Sequence, residues 1–295
     1  MDVRQLAYFL AIVDNGGFNR AARHLHLAQP SLSQAIGGLE RHLGVLLFHR
    51  IGRRAVLTDA GRALIEPARQ VLRDIDTAQA TIASLKGLGS GVVDVVSMPS
   101  PSLEPLSTII DRFSQRHPQV SVRVRAEPTP GPVMDAVRTG VAELGLLGAP
   151  HPVEAAGIRT HVLEAQRFVL ILRPDPPITA KDHATAADLA GVSLIVGQQG
   201  TGQRQVVDEI VAQGVDVHIA VEAEHREAIL PLVLKGVGAA VMTEAWAPLA
   251  RTAGLRVLPL EPPSLLHICL VHRCARLTPA AEAFLDVAKT GSHPH

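Results

Sequence analysis

Three helical patterns follow one another before Gly44, and their spacing leaves few folds open. Leu6, Phe9, Leu10 and Val13 recur at helical intervals over Val3 to Asn15, and the segment "DNGG" closes that pattern with turn chemistry. A second, shorter pattern predicts a helix from about Asn19 to Leu25, with Asn19 as N-cap and Ala21 and Ala22 small enough for close helix packing. The third predicts a helix over Gln29 to Leu43. Pro30 lies in its first turn, Leu32, Ile36, Leu39 and Leu43 form its core stripe, and Gly44 is its stop. "LLFHRIGRRAVLT" then reads as two short strands turning at Ile51, Gly52 and Arg53.

Two short helices joined by a tight turn, the second polar at its start, fit a helix-turn-helix whose second helix enters the DNA major groove. Gln29, Pro30, Ser31, Ser33 and Gln34 occupy that start. The serines and glutamines are short hydrogen-bonding groups suited to phosphates and base edges, and glutamine can pair bidentately with adenine. Arg50, Arg53 and Arg54 on the hairpin are placed to reach phosphates or a narrow minor groove. Residues 1–62 hold eight arginines against four acidic residues, in a chain whose 28 basic and 28 acidic residues balance only as a whole. That asymmetry suits a polyanion partner at this end alone. A three-helix piece of a larger core would show the same periodicity, so pattern alone leaves both readings standing.

From Thr58 onward, Leu64, Ala68, Val71, Ile75, Ala78, Ile82 and Leu85 step alternately by four and three. This is the heptad seam of a pairing helix, with Thr58 as N-cap, Gly87 as stop and Pro67 adding a kink. The alternative is a core helix within one domain. A narrow seam with polar flanks favours a homodimer through residues 64–85, which would set two helix-turn-helices on two half-sites. "GLGSG" (Gly87 to Gly91) is expected to be a hinge.

Beyond it, strand-like and helix-like runs alternate to the end of the chain. Strands are expected at Val92–Val96, Val120–Arg125, Leu144–Leu147, Arg167–Leu172, Ser193–Val196, His218–Val221, Ala239–Met242 and Leu266–Val271. Helices are expected at Leu106–Arg116, Pro132–Arg138, Gln203–Gln213, Arg226–Lys235 and Pro279–Lys289. Such alternation implies parallel sheets with crossover helices and a ligand cleft at the carboxyl ends of the strands. Two strand-to-helix turns, "SMPSPS" (Ser97 to Ser102) and "GQQGTGQR" (Gly197 to Arg204), are polar and small. Backbone amides there, with the Ser100, Ser102 and Thr201 hydroxyls and Arg204 if it points inward, would cradle a carboxylate. Ordinary helix capping is the competing explanation of each.

Apolar residues make up 47% and charged residues 19%, which predicts a packed globular protein. No run of apolar residues is long enough to span a membrane, and the first residues lack the pattern of a signal peptide, so a cytoplasmic protein is expected. Catalysis finds no support. The "GQQGTGQR" loop lacks the lysine of a phosphate loop, there is no G-x-S-x-G turn, no H-x-x-x-H and no C-x-x-C, and no cofactor is implied. Cys269 lies in an apolar strand, whereas Cys274 stands near Arg273 and Arg276, which would lower a thiol pKa. A cysteine-based redox sensor is therefore an alternative, as is a DNA-binding oligomer that takes no ligand.

The first sixty residues resemble the DNA-binding end of the LysR-type transcriptional regulators. The matching pieces are "F-x-x-A-A-x-x-L" (Phe18 to Leu25), "Q-P-S-L-S-Q-x-I" (Gln29 to Ile36), "L-E-x-x-L-G-x-x-L-F-x-R" (Leu39 to Arg50) and "L-T-x-A-G" (Leu57 to Gly61). Gln34, Gly37 and Gly38 depart from it, standing where relatives often carry basic residues, which makes this recognition helix less cationic. "F-x-x-x-H-P-x-V" (Phe113 to Val120) and "L-x-x-G-V-G-A-A-V-M" (Leu232 to Met242, with one residue inserted at Lys235) extend the resemblance weakly into the second half, where Glu143 replaces the usual aspartate.

The resemblance implies an α+β, multi-domain chain. A winged helix-turn-helix would cover 1–58 and a dimerising linker helix and hinge 59–90. A two-lobed α/β effector domain resembling periplasmic binding proteins would cover 91–295, with lobe I at 91–163 and 267–295 and lobe II at 164–266. It places effector-binding positions at Ser100, Thr129, Gln199, Gly200 and Thr201, which Ser102 joins through its turn chemistry, with Glu224 or His225 as a further lining position. The partners it implies are double-stranded DNA bearing an interrupted palindrome, a small anionic organic effector, and further copies of the chain up to a homotetramer. RNA polymerase is a candidate partner, and a membrane is not.

Overall fold

The computed structural model describes residues 1–51, 54–85, 91–175 and 182–290; the side chains of 50, 51, 54, 76, 77 and 79–85 lie outside that description. The chain divides into two compact units. One is Met1–Gly91 with the segments Arg138–Val141 and Arg276–Pro279, and the other holds the remainder.

The first unit runs α1 (Val3–Asp14), α2 (Phe18–His24), α3 (Gln29–Leu43), β1 (Phe48–Ile51), β2 (Arg54–Leu57) and α4 (Asp59–Leu85). Asp2 and Gln5 close a capping box on α1. α2 starts one residue earlier than expected: Gly17 is its N-cap, without a side-chain bond, and Asn19 lies inside the first turn. Phe18 is drawn into the helix because its ring meets Phe48 edge-on at 5.4 Å, while Phe9 meets the same ring at 5.6 Å. The apolar stripes of the helices converge on one core around Leu6, Phe9, Ala21, Leu32, Ile36, Leu39 and Phe48. β1 and β2 pair antiparallel from Phe48↔Leu57 to Ile51↔Arg54; the expected turn residues Gly52 and Arg53 lie outside the described residues.

The wing is tied down by side chains that the periodicity does not explain. Glu40 accepts from the backbone N–H of Leu47 at 2.7 Å and of Phe48 at 3.3 Å. Thr58 donates from its hydroxyl to Leu46 O at 2.7 Å and accepts from Gly61 N at 2.9 Å, which makes it the cap of α4. Gly61 is buried where α4 crosses the chain: a Cβ there would stand 2.2 Å from Leu47 O and 2.8 Å from Leu57 Cδ2. α4 keeps Pro67 within it. Ala68 is buried in this unit's own core, with Leu64 half-buried against it. Farther along, Val71 and Ala78 are exposed and Ile75 is half-buried. The expected seam is thus spent inside its own unit at its start and open to a partner beyond. Ile82, Leu85 and Gly87 fall outside the described side chains or residues.

The second unit contains β3 (Gly91–Ser97), α5 (Pro99–Pro101), α6 (Ser107–Arg116), β4 (Val120–Ala126), α7 (Pro130–Arg138), β5 (Leu144–Ala149), β6 (Ile158–Leu172) and β7 (Ala184–Thr185). It continues with β8 (Ser193–Gly197), α8 (Gly202–Ala212), β9 (His218–Ala223), α9 (Ile229–Leu234), β10 (Ala240–Thr243), α10 (Ala247–Thr252), β11 (Arg256–Glu261), β12 (Leu265–Arg273) and α11 (Pro279–Thr290). Eight strands form one sheet in the order β4-β3-β5-β12-β6-β11-β7, with β10 also on β6. β8 and β9 pair beside it, and Ala239 bridges to Leu194.

The expectation of parallel sheets needs correction. β3 and β5, β8 and β9, and β7 and β11 are parallel, but β12 runs antiparallel to both β5 and β6, and β6 runs antiparallel to β10 and β11. β6 is also far longer than the expected Arg167–Leu172 segment. It enters at Ile158 and threads past Glu164–Gln166 without a break. Its alternation serves two cores: Phe168, Leu170 and Leu172 face one cluster with Val206 and Val207, while Val169 and Ile171 face another with Ile229 and Val233. A third cluster packs Val133, Met134 and Val137 of α7 on β5 and Cys269.

β6 and β12 also bring two histidines together. His161 Nε2 lies 3.2 Å from His272 Nε2, and His272 Nδ1 lies 2.7 Å from Arg273 O. Nδ1 must donate to that carbonyl, so in the neutral pair His272 Nε2 accepts from His161. Burial first, then nearby Lys289 and Arg159, holds both histidines below their ordinary pKa.

Two outcomes are expected. Gly61→Ala should destabilise the first unit by about 1–3 kcal/mol in chemical denaturation, because a backbone oxygen cannot step aside for the new methyl. Protonation favours the unfolded chain at the histidine pair, so the melting point should fall as pH drops through and below the ordinary histidine pKa of about 6.5. His161→Gln, which can still donate to His272, should lose part of that fall.

Candidate functional site

The first candidate is the exposed start of α3. Pro30 in the first turn sets the helix, and burial of Leu32 fixes which side faces out. Gln29, Pro30, Ser31 and Gln34 are exposed and Ser33 is half-buried. Gln29 Nε2 donates to Ser33 Oγ at 2.8 Å, so these two side chains hold each other one turn apart. The structure thus gathers the five expected residues on one open surface. Gly38, one of the departures from basic residues, meets Gln5: a Cβ there would lie 3.1 Å from Gln5 Nε2. Nothing lies within 4 Å of a Cβ at Gly37. Arg50 and Arg54 are in the wing strands, but their side chains, like the whole of Arg53, lie outside the description.

The second candidate lies in the other unit, where several strands end together. Ser100 follows β3, Thr129 follows β4, Thr201 and Gln203 follow β8, Arg226 follows β9, Thr243 ends β10 and Trp246 follows it. Ligands gather at such carboxyl ends because helix N-termini and loop amides face them. Ser100 is 2% exposed; its Oγ accepts from Arg226 Nη1 at 3.0 Å and from Trp246 Nε1 at 3.5 Å. Thr129 lies opposite Gly200, its Cγ2 3.6 Å from where a Cβ of Gly200 would be. Thr201 is buried, donates to Gln198 O at 2.8 Å and accepts from Arg204 N at 3.3 Å as the cap of α8. Gly197 completes the wall. A Cβ there would meet Gln203 Oε1 and Thr201 Oγ1 at 3.0 Å each, and Arg226 Nη2 at 3.7 Å.

Some expected residues are not brought into this cluster. Ser102 is half-buried with no side-chain bond in it, and Glu224 and His225 are exposed, His225 lying 3.5 Å from Glu227. Gln199 is exposed, and its carbonyl oxygen, oriented toward Arg204, accepts from Nη2 at 2.7 Å. Arg204 does not offer its charge inward, because Asp208 at 2.7 Å and Glu222 neutralise it; the Asp208 hydrogen bond leads the upward shift of its pKa. Arg226, Gln203, Thr243 and Trp246 were not among the expected residues. Arg226 is 9% exposed, and burial pushes its pKa down to about 10. Cys269 is buried and its thiol pushed up by burial, while Cys274 is exposed just past the end of β12. A separate cavity of about 430 Å³, lined by Leu170, Leu172, Val192, Val237 and Ala239 among others, contains none of the clustered groups.

Two family models match the chain. Residues 3–62 match the bacterial regulatory helix-turn-helix protein of the lysR family, and residues 86–292 match the LysR substrate binding domain. The chain belongs to the LysR family. Proteins of this family are transcriptional regulators that bind DNA and small-molecule effectors, and this LysR-family chain carries the domain for each. It is 28% identical over 300 residues to the "RuBisCO operon transcriptional regulator" of Allochromatium vinosum, covering 97% of this chain and 95% of that one. Its fold is similar to a full-length OxyR variant from Pseudomonas aeruginosa, with TM-score 0.74, 23% identity and coverage of 99% and 94%. It is also similar to full-length CbnR complexed with its target DNA, with TM-score 0.67, 23% identity and coverage of 99% and 100%. No helix among the described residues is long and apolar enough to cross a membrane.

Thr201 has a structural duty whatever else it contacts. Thr201→Val should cost about 1 kcal/mol in urea denaturation by removing the cap, and Thr201→Ser should restore most of it.

Proposed function

We propose that this LysR-family regulator binds an interrupted palindrome through paired winged helix-turn-helices and is switched by a small organic anion held between two lobes of its second unit. The observation that carries this reading is the convergence of Ser100, Thr129, Thr201 and Arg226 at strand ends from both halves of that unit. Lobe I comprises 91–163 and 267–295 and lobe II 164–266, so the bond from Arg226 to Ser100 crosses between them. Two sections of chain, at Glu164–Gln166 and Pro262–Ser264, connect the lobes. An anion settled there favours one lobe arrangement over another, and a ligand shifts an equilibrium only by its differential affinity for the two states.

On the DNA side, Gln29, Pro30, Ser31, Ser33 and Gln34 of α3 meet the major groove, and Arg50, Arg53 and Arg54 meet the backbone or the neighbouring minor groove. The exposed part of the α4 seam, from Val71 to Ala78, joins two chains, and contacts between effector units extend the dimer to a tetramer. The bend or spacing imposed on the DNA then depends on the lobe arrangement. The same arrangement governs any contact with RNA polymerase.

The test uses the full chain and DNA from upstream of its own gene. Carboxylates, amino acids and aromatic acids are screened by thermal shift, and each ligand that raises the melting point is carried into DNA-binding titrations at several salt concentrations. The expected result is affinity that falls steeply with salt and changes by a constant factor on saturation with one ligand class, with DNA changing ligand affinity by the same factor. DNA affinity indifferent to every stabilising ligand would remove the switch from this account. A library with no stabilising member would favour a ligand-independent DNA-binding oligomer.

A further inference from the structure

We infer that Arg226 is the charge anchor of the effector, and that the effector presents one carboxylate with a hydroxyl or amine on the adjoining carbon. This rests on the effector reading above and narrows it. Three observations carry it.

The first is an uncompensated charge. Arg226 is buried, its guanidinium donates to the neutral Ser100 hydroxyl at 3.0 Å, and no ion pair reaches it among the described residues. The downward shift of its pKa has burial as its cause, with no neighbouring carboxylate opposing it. Burying an unpaired cation is costly, and proteins keep one where a counter-charge arrives.

The second is an idle amide. Gln203 is 1% exposed, and neither its Nε2 nor its Oε1 has a hydrogen-bond partner. Thr243 Oγ1, at the end of β10, is likewise buried without one. Nearly all buried polar groups are bonded, so a carboxamide idle at both ends is waiting for a group outside the chain.

The third is that Gln203, Thr201 and Arg226 meet at the end of β8. A Cβ on Gly197 would lie 3.0 Å from Gln203 Oε1 and from Thr201 Oγ1, and 3.7 Å from Arg226 Nη2, so the three polar groups crowd against the same backbone. Trp246 Nε1 shares Ser100 with the guanidinium. The donors, guanidinium, indole N–H and amide N–H, call for acceptor oxygens, and a carboxylate supplies them in a planar array. Gln203 Oε1 calls instead for a donor within the same reach, which a carboxylate lacks and a neighbouring hydroxyl or amine provides. One cation answers one negative charge, so a second carboxylate at this subsite would be unpaired.

The test uses minimal probes that fit whatever the rest of the effector is. The full-length protein is melted in chloride, formate and glycolate at equal ionic strength, alongside Arg226→Met and Gln203→Met. The wild type should melt higher in formate than in chloride and higher again in glycolate, by at least about 2 °C. Arg226→Met should melt above the wild type in chloride, since it removes an unpaired buried charge, and should respond to neither anion. Gln203→Met should keep the response to formate and lose the extra rise in glycolate. If Arg226→Met melts lower in chloride, the arginine is a structural tie and the inference falls. If the variant responds to the anions as the wild type does, the anchor is elsewhere, and a carboxylate effector still stands. If neither anion shifts the wild type, the inference fails, and the wider effector reading is then judged by its own ligand screen.

Discussion

The pairing of β6 with β12 holds the second unit together. Nine residue pairs run from Leu265↔Arg167 to Arg273↔Ile158, and the same two strands then recruit β5 on one side and β10 and β11 on the other. One sheet therefore runs through these two strands, with β8 and β9 pairing separately. β6 continues through Gln166, whose Nε2 also donates to Glu104 O at 2.9 Å. The polar cluster resides in the short loops at the strand ends. Those loops can change their side chains without disturbing the sheet.

The helical part of the chain was legible because its burial follows one clean period. The expected bounds of α3 are those observed, and its stripe Leu32, Ile36 and Leu39 is buried. The misreadings have physical causes. Residues Ile158–Gln166 of β6 carry Arg159, His161, Glu164 and an exposed Val162, so their alternation is blurred. β11 has Pro259 in its middle, which argues against a strand unless its N–H is not needed, and α10 is a single short run behind Pro248. β12 reads like any buried strand, and nothing in its composition reveals that it runs antiparallel.

The polar cluster at the strand ends was half legible. Ser100 and Thr201 announce themselves by turn chemistry, whereas Arg226 and Gln203 sit in stretches that look like ordinary helix. A signal was present all the same. Gln203 lies on the stripe of Val206, Val207 and Ile210, and Arg226 stands three and four residues before Ile229 and Leu230. A polar or charged side chain on an otherwise buried face is the pattern to read. In the DNA-binding unit the reverse holds. Glu40, Thr58 and Gly61 belong to the family's recognisable motifs, yet their bonds are all internal, joining α3, the wing and α4. The motif marks a DNA-binding module largely by recording how that module is braced.

The register of β6 against β12 slips between Ile268 and Cys269, leaving Leu163 as an extra residue between Val162 and Glu164. Leu163 is 5% exposed, so the irregularity is packed into the interior. A bulge raises the local right-handed twist of the strand that carries it. Here it falls before every residue through which β6 pairs with β10 and β11. The direction in which β6 presents those strands is then partly a property of backbone torsion at one interior leucine. A substitution there would re-aim them without touching any residue of the polar cluster.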